Sequence, residues 1–224
     1  MAQLFLFLGC NGGSGGTDTS SGSGGSAISA SGETMVLIET DMGKIKIKLY
    51  DTTPKHKENF IKLAKEGFYD GTLFHRVIPG FMVQGGDPDS KAAQPGQPLG
   101  MGGPGYTIEA EIGAKHFRGA LSAARQGDQV NPERRSSGSQ FYIVQNGPVP
   151  AAQLDQYAQY TGTQYTPEER DYYLQYGGTP QLDNQYTVFG EVVEGMDVVD
   201  RIANAQRDAR DRPLQDVKMK MKVL

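Results

Sequence analysis

The most informative stretch of this chain is YDGTLFHRVIPGFMVQGG, residues 69–86. The stretch holds two short strand candidates, Leu73–Ile78 and Met82–Gln84, with a Pro-Gly pair between them. Neighbouring side chains of a strand point to opposite faces, so His75 and Arg76 cannot both serve one surface site. We interpret Arg76 as the functional residue and His75 as a structural one, because no acidic partner is placed beside His75.

Further strand candidates lie on both sides of this stretch. Lys44–Tyr50 alternates strictly, with Ile45, Ile47 and Leu49 on one face and lysines on the other. That alternation is typical of a strand with one buried face. The remaining candidates are Met35–Glu39, Gly119–Ala123, Gln140–Gln145, Tyr186–Val193 and Val217–Val223.

Two helices are predicted to accompany the strands. The first begins at Thr53 and Pro54, which suit an N-cap and a first helical position, and Gly67 suits its C-terminal cap. Met196–Ala203 is the second. The set predicts a mainly β fold, a closed eight-stranded antiparallel β-barrel capped by two α-helices.

Residues 147–181 interrupt this pattern and are predicted to form an inserted helical hairpin. The second helix opens at Thr166-Pro-Glu-Glu169, a capping box with proline at the first helical position, and closes at Gly177. The insertion carries six of the 11 tyrosines of the chain. These side chains either cover the barrel wall or contact a partner, and we favour the wall.

Composition narrows the classes of function. The 224 residues include 22 Lys+Arg and 26 Asp+Glu, a net charge of −4, which argues against a protein that tracks nucleic-acid phosphates. One cysteine excludes an internal disulfide framework and a cysteine-based zinc site. His56, His75 and His116 are scattered, so we expect no metal site and no cofactor.

The front of the chain differs from the rest. Leu4–Leu8 is purely apolar and is followed by Gly9 and Cys10, which resembles the end of a bacterial lipoprotein signal peptide. Of the 24 residues from Asn11 to Thr34, 15 are Gly or Ser, as in a flexible tether. We therefore separate residues 1–34 from a domain at 35–224. The expected location is the bacterial cell envelope, facing the periplasm, with a lipid on Cys10; the alternative is an incidental cysteine on a soluble cytoplasmic protein.

Residues 69–86 resemble, along their whole length, the signature of the cyclophilins, which are peptidyl-prolyl cis–trans isomerases. Two further blocks agree in order: Gly138–Ile143 resembles the second signature block and Leu182–Gly190 the third. The resemblance covers residues 35–224 apart from the hairpin. It implies isomerisation of X-Pro bonds in unfolded or folding polypeptides, without a metal or cofactor.

The resemblance also implies roles for particular residues. Arg76 matches the catalytic arginine and Gln84 the glutamine that binds the substrate backbone, with Gln140 as a second pocket glutamine. Ala124 and Arg125 match the edge that pairs with the substrate backbone. The remaining substrate-binding positions, which match the proline pocket or its rim, are Phe81, Met82, Tyr142, Leu182 and Tyr186.

The physics of an X-Pro bond explains these residue types. Its rotation is opposed by a barrier of about 20 kcal/mol that arises from amide resonance. A catalyst needs an apolar slot for the proline ring and a donor that favours the twisted amide, and Arg76 supplies a cationic donor with a fixed fork. Two rival functions stay open: a proline-binding or chaperone module that has lost turnover, and a scaffold that works through the tyrosine-rich hairpin.

Two positions depart from many eukaryotic members of the family. Gln181 lies where those members have Trp, and Tyr186 where they have His. Since Gln offers less apolar area than Trp, the resemblance implies weak binding of cyclosporin.

Overall fold

The computed structural model describes residues 33–224; Cys10 and most of the predicted tether lie outside them. The strands are β1 (Met35–Thr40), β2 (Gly43–Leu49), β3 (Phe74–Ile78), β4 (Met82–Gly85), β5 (Thr107–Ile108), β6 (Ala120–Ala123), β7 (Ser136–Ser137), β8 (Phe141–Val144), β9 (Val188–Glu194) and β10 (Met219–Val223). The helices are α1 (Pro54–Lys65), α2 (Ala151–Thr161), α3 (Pro167–Gln175) and α4 (Met196–Ala203). Within this part of the chain, no helix is long and apolar enough to cross a membrane.

Eight strands form one curled antiparallel sheet in the order β10-β1-β2-β9-β6-β8-β4-β3. The predicted eight-stranded antiparallel architecture is confirmed. Its two end strands, β10 and β3, meet through a single bridge, Leu73 with Lys218, and through flanking bonds such as Phe74 N–H to the Val217 carbonyl at 3.0 Å. The residues described contain no continuous ladder between these two strands, so full closure stays a prediction.

The alternation read from the sequence gives the sheet its buried inner face. In β2, Ile45, Ile47 and Leu49 are buried while the intervening lysines point outward, and Val36 and Ile38 of β1 are buried beside them. Together with side chains from α1 and α4 they form the main core. Each such side chain stabilises the fold by roughly 1.5–3 kcal/mol through burial.

The central strands are apolar on both faces. Val83 of β4 and Ile143 of β8 point into the main core, whereas their neighbours Met82, Tyr142 and Val144 belong to a second buried cluster on the opposite face. Side chains alternate with period two along a strand, so an uninterrupted apolar run must be covered on both sides. The second cluster is therefore a separate apolar surface, outside the main core.

The helices also follow their sequence signals, with one correction. Pro54 is in the first turn of α1, and Gly67, with φ +70°, lies just beyond the helix end. Thr53 occupies the predicted N-cap position but makes no capping bond, because its hydroxyl donates to the Tyr50 carbonyl at 3.4 Å.

The inserted hairpin is confirmed as α2 and α3, which lie within residues 147–181. The capping box is complete: the Thr166 hydroxyl accepts from Glu169 N–H, and the Glu169 carboxylate accepts from Thr166 N–H. Gly177 has φ +97°, and a Cβ there would overlap the carbonyl of Gly147. The two ends of the insertion thus lie in backbone contact, which only glycine permits.

Candidate active site

The outer face of four adjacent strands carries one row of aligned residues. The register pairs Arg76 of β3 with Gln84 of β4, Gln84 with Tyr142 of β8, and Tyr142 with Ser122 of β6. Residues directly opposite one another in an antiparallel sheet bring their side chains together on one face. The row therefore joins a guanidinium, an amide and a phenol over the second apolar cluster.

A pocket of ≈ 170 Å³ opens on this row. Its lining includes every substrate-binding residue named from the sequence except Gln140, which contacts the pocket through Gln84. The lining residues are Arg76, Phe81, Met82, Gln84, Ala124, Arg125, Tyr142, Leu182 and Tyr186. They come from four parts of the chain, and the sheet register and the segment before β9 bring them together.

Apolar side chains form the pocket floor and walls. Met82 and Tyr142 are buried, while Phe81 and Leu182 are half-buried and pack against the same cluster. The ring of Tyr186 meets the ring of Tyr142 edge-on, with centroids 6.0 Å apart and an interplanar angle of 84°. A small apolar group of a ligand would therefore be contacted on several sides by these side chains.

A directed chain of hydrogen bonds holds the polar side chains of the pocket. Arg76 Nη1 donates to Gln84 Oε1 at 3.5 Å, and Gln84 Nε2 donates to Gln140 Oε1 at 3.1 Å. Gln140 Nε2 then donates to the carbonyl of Gly102 at 2.7 Å. The last two bonds, both of ordinary length, fix the two glutamine amides, so Gln84 presents its oxygen to Arg76.

Arg76 itself is held only loosely. Its side chain is 45% exposed, and its nearest carboxylate oxygen belongs to Asp211, 4.0 Å from Nε. Arg76 lies on the outer face of the sheet, so its charge is solvated and is not buried in the main core. A guanidinium carries five N–H donors, and most of them remain available here to a ligand in the pocket.

Ala124 and Arg125 form the other rim of the pocket. The Arg125 guanidinium lies 4.5 Å from the centre of the Tyr186 ring and donates to the Gln185 carbonyl at 3.0 Å. The backbone of Ala124 is already occupied, since its N–H donates to Gln140 and its carbonyl accepts from Ser137. Pairing of this edge with a substrate backbone, as the sequence predicts, is therefore left to the backbone groups of Arg125.

His75 and Arg76 point to opposite sides, as their alternation requires. The His75 ring is 4% exposed, and neither ring nitrogen has a hydrogen-bond partner among residues 33–224. Burial lowers the pKa of His75 to about 4, which outweighs the attraction of the Asp87 carboxylate. The structural role assigned to His75 agrees with this placement.

Two further residues do not line the pocket but lie behind its Tyr142 wall, and the sequence did not identify them as functional. His116 lies 3.0 Å from the Tyr142 hydroxyl, and Asp183, next to Leu182, bonds to His116. Of the two, only Asp183 could have been found from the sequence, because it lies within the third block that resembles the family signature. Among residues 33–224, no three His, Cys, Asp or Glu side chains are grouped so that they could hold a metal ion.

Comparison with known proteins assigns the family. The family model described as cyclophilin type peptidyl-prolyl cis-trans isomerase/CLD matches residues 35–223. The chain belongs to the cyclophilins. It is accordingly a peptidyl-prolyl cis–trans isomerase, and the fold and the enzyme class expected from residues 69–86 are confirmed.

Relatives of this cyclophilin agree with the assignment. A protein of Staphylococcus saprophyticus, provisionally named peptidyl-prolyl cis-trans isomerase, is 41% identical over 191 residues, 83% of this chain and 88% of the relative. A Staphylococcus aureus protein of the same name is 40% identical over 192 residues, 83% of this chain and 89% of its own. The crystal structure of a Cryptosporidium parvum cyclophilin superposes with a TM-score of 0.61 at 26% identity, covering 86% of this chain and 98% of that one. A second structure of that protein was determined in the presence of the dipeptide Ala-Pro.

The buried His75 predicts a pH dependence of stability. Its folded-state pKa of about 4 lies below the usual 6.5, so the unfolded chain binds the extra proton first as the pH falls. The stabilisation is complete above pH 6.5 and is lost as the pH falls towards 4, by about 2 kcal/mol between pH 7.5 and 5. Urea unfolding at both pH values, on the natural chain and on His75→Gln, measures it. We expect a smaller loss in the variant; equal losses in both proteins would contradict the prediction.

Proposed function

We propose that this cyclophilin isomerises X-Pro bonds in folding polypeptides by holding the proline ring in the apolar pocket while Arg76 stabilises the twisted amide. The observation that supports this most directly is the Arg76 guanidinium at the pocket mouth, half-exposed and with most donors uncommitted. Phe81, Met82 and Leu182 supply the contacts for the ring.

The chemistry requires no covalent step. When the amide twists, resonance is lost and the proline nitrogen regains a localised lone pair. A cationic N–H donor binds that lone pair better than it binds the planar ground state, and only such a difference lowers the barrier. Because Arg76 lies beside the apolar slot, its donors can reach a bound amide while Gln84, fixed by Gln140, binds the neighbouring backbone.

The surface beside the pocket supports a polypeptide as the substrate. A groove of ≈ 660 Å³ continues from Gln84 and Ala124, along the loop that contains Gly102 and Tyr106. An open groove of this size accommodates residues on one side of the proline, and the backbone groups of Arg125 lie at its border. A substrate chain can therefore pass over the surface with only the proline ring inserted.

Replacement of Arg76 tests the proposed mechanism. Arg76→Ala should lower kcat/KM for X-Pro isomerisation of a short peptide by about 10²–10³, the effect of removing one preorganised donor to a transition state. Arg76→Lys should recover only part of the loss, because it restores the charge without the fork. The matched control is Arg201→Ala, an exposed arginine of α4 that pairs with Asp197 and does not line the pocket. Peptide binding without turnover in the natural chain would instead favour the proline-binding module.

We further propose that cyclosporin binds weakly. Gln181 lies in a short 3₁₀ turn, Pro180–Leu182, directly before a pocket residue, and its side chain is half-buried. Trp at this position would add apolar area worth roughly 1.5–3 kcal/mol, which corresponds to a ten- to hundredfold change in affinity.

Titration of cyclosporin into the isomerisation assay measures this difference. The natural chain should require at least tenfold more drug than Gln181→Trp for half-inhibition, since the substitution adds a flat apolar face and an indole N–H. Catalysis without drug should change little, because Gln181 does not line the proline pocket. Equal drug sensitivity of the two proteins would refute the assignment of this position.

Finally, we propose that the protein is anchored in the bacterial cell envelope by a lipid on Cys10 and faces the periplasm. The support is the sequence alone: the apolar run Leu4–Leu8, the small residue Gly9 before the cysteine, and the Gly/Ser-rich stretch behind it. A generic Gly/Ser-rich chain of 24 residues has a root-mean-square span of about 25–30 Å, so we expect a lipid on Cys10 to keep the domain near the membrane surface.

Membrane fractionation after bacterial expression tests the anchor. The natural chain should partition with membranes, whereas Cys10→Ser should be released or remain unprocessed, because the sulfur that carries the lipid is lost. Mass spectrometry of the membrane fraction should detect the acyl mass. Equal solubility of both forms would favour the soluble alternative.

A further inference from the structure

The carboxylate of Asp183 is fully buried and is held by four donors. Oδ1 accepts from the backbone N–H of His116 at 2.8 Å and from its ring Nδ1 at 2.9 Å. Oδ2 accepts from the hydroxyls of Tyr165 and Tyr173, both at 2.8 Å. An ionised carboxylate has about four acceptor sites, so these donors satisfy it and offset the cost of burying its charge.

The other nitrogen of His116 extends the network to the proline pocket. Nε2 lies 3.0 Å from the Tyr142 hydroxyl, and the two rings are nearly parallel at 11°. A neutral imidazole with its proton on Nδ1 accepts a hydrogen bond from the phenol hydroxyl at Nε2, whereas an imidazolium donates a hydrogen bond from Nε2 to the phenol oxygen. In both charge states one hydrogen bond ties Tyr142 to a ring that Asp183 orients.

The donors at the far end belong to the inserted hairpin. Tyr173 lies in α3, and Tyr165 lies in the loop between α2 and α3. Burial raises the pKa of Tyr173 and of Tyr165, and the Asp183 charge adds to this effect, so both hydroxyls stay protonated and donate. The hairpin is also joined to the segment before β6 that carries His116, because Thr179 N–H donates to the His116 carbonyl at 2.8 Å.

We propose that Tyr165 and Tyr173 are positioning residues for the proline pocket, acting through Asp183 and His116 on the ring of Tyr142. The proposal deepens the proposed function and rests on it. Tyr142 is only 5% exposed, so its hydroxyl needs a partner within the protein. Without the oriented imidazole, Tyr142 would turn to satisfy that hydroxyl and would displace a wall of the pocket.

A mutant cycle separates positioning from a merely structural role. The double variant Tyr165→Phe/Tyr173→Phe should lower kcat/KM three- to tenfold, the scale of one lost hydrogen bond, and chiefly through a higher KM. In a Tyr142→Phe background the tether is already cut, so the same two substitutions should change kcat/KM by less than twofold. The free energy of unfolding should fall in both backgrounds. Tyr157→Phe is the matched control, because within residues 33–224 its hydroxyl accepts a bond from exposed Gln153 of the hairpin and from no pocket residue.

A second readout does not depend on turnover. The ring resonances of ¹³C-labelled Tyr142 should shift or broaden in the double variant and stay unchanged in Tyr157→Phe. An equal loss of kcat/KM in both backgrounds, or unaltered Tyr142 resonances, overturns the proposal. A natural chain without isomerase activity overturns the proposed function instead, and the resonances then decide the positioning role alone.

Discussion

The structure depends on one constraint: the central strands of the sheet must bury apolar side chains on both faces. In each of four strands, two consecutive residues go to opposite clusters, the first to the outer cluster and the second to the main core. These pairs are Met82 and Val83, Ala120 and Leu121, Tyr142 and Ile143, and Val188 and Phe189. The inner cluster holds the fold together, and the outer cluster is the floor of the proline pocket. Along the same strands, alternate residues thus stabilise the fold and form the proline pocket.

This division explains the rigidity of the pocket and the freedom of its arginine. Tyr142 and Met82 are fixed because their backbones belong to strands that the main core holds. Arg76 lies in β3, at the end of the sheet order, where its guanidinium extends to solvent beside Asp211. A preorganised floor with an accessible cation suits a reaction in which the substrate, and not the enzyme, changes shape.

The sequence predicted those features of the fold and the site that depend on a local residue pattern. Strand β2 was predictable because lysine and isoleucine alternate there, and the pairing of Arg76 with Gln84 lies within one short hairpin. The pair formed by β5 and β7 was missed, since two-residue strands leave no periodic signal. His116 was missed for a different reason: its partner Asp183 is 67 residues away, and such a contact exists only after the chain has folded.

The thorough satisfaction of Asp183 bears on how the insertion is coupled to the enzyme. A buried carboxylate that loses one hydrogen-bond donor still carries the full cost of desolvating its charge, but it is stabilised by fewer bonds. The four hydrogen bonds to Asp183 therefore stabilise the protein when all are made, and the loss of one weakens the effect of the others. Two of these donors come from the hairpin and two from the segment that contacts Tyr142. If the hairpin moves away from Asp183, the carboxylate next to Leu182 either becomes exposed to solvent or stays buried without two of its hydrogen-bond donors. Because that cost falls directly behind the pocket wall, docking of the hairpin and the shape of the proline pocket form one cooperative unit, although the hairpin has a small core of its own around Leu154.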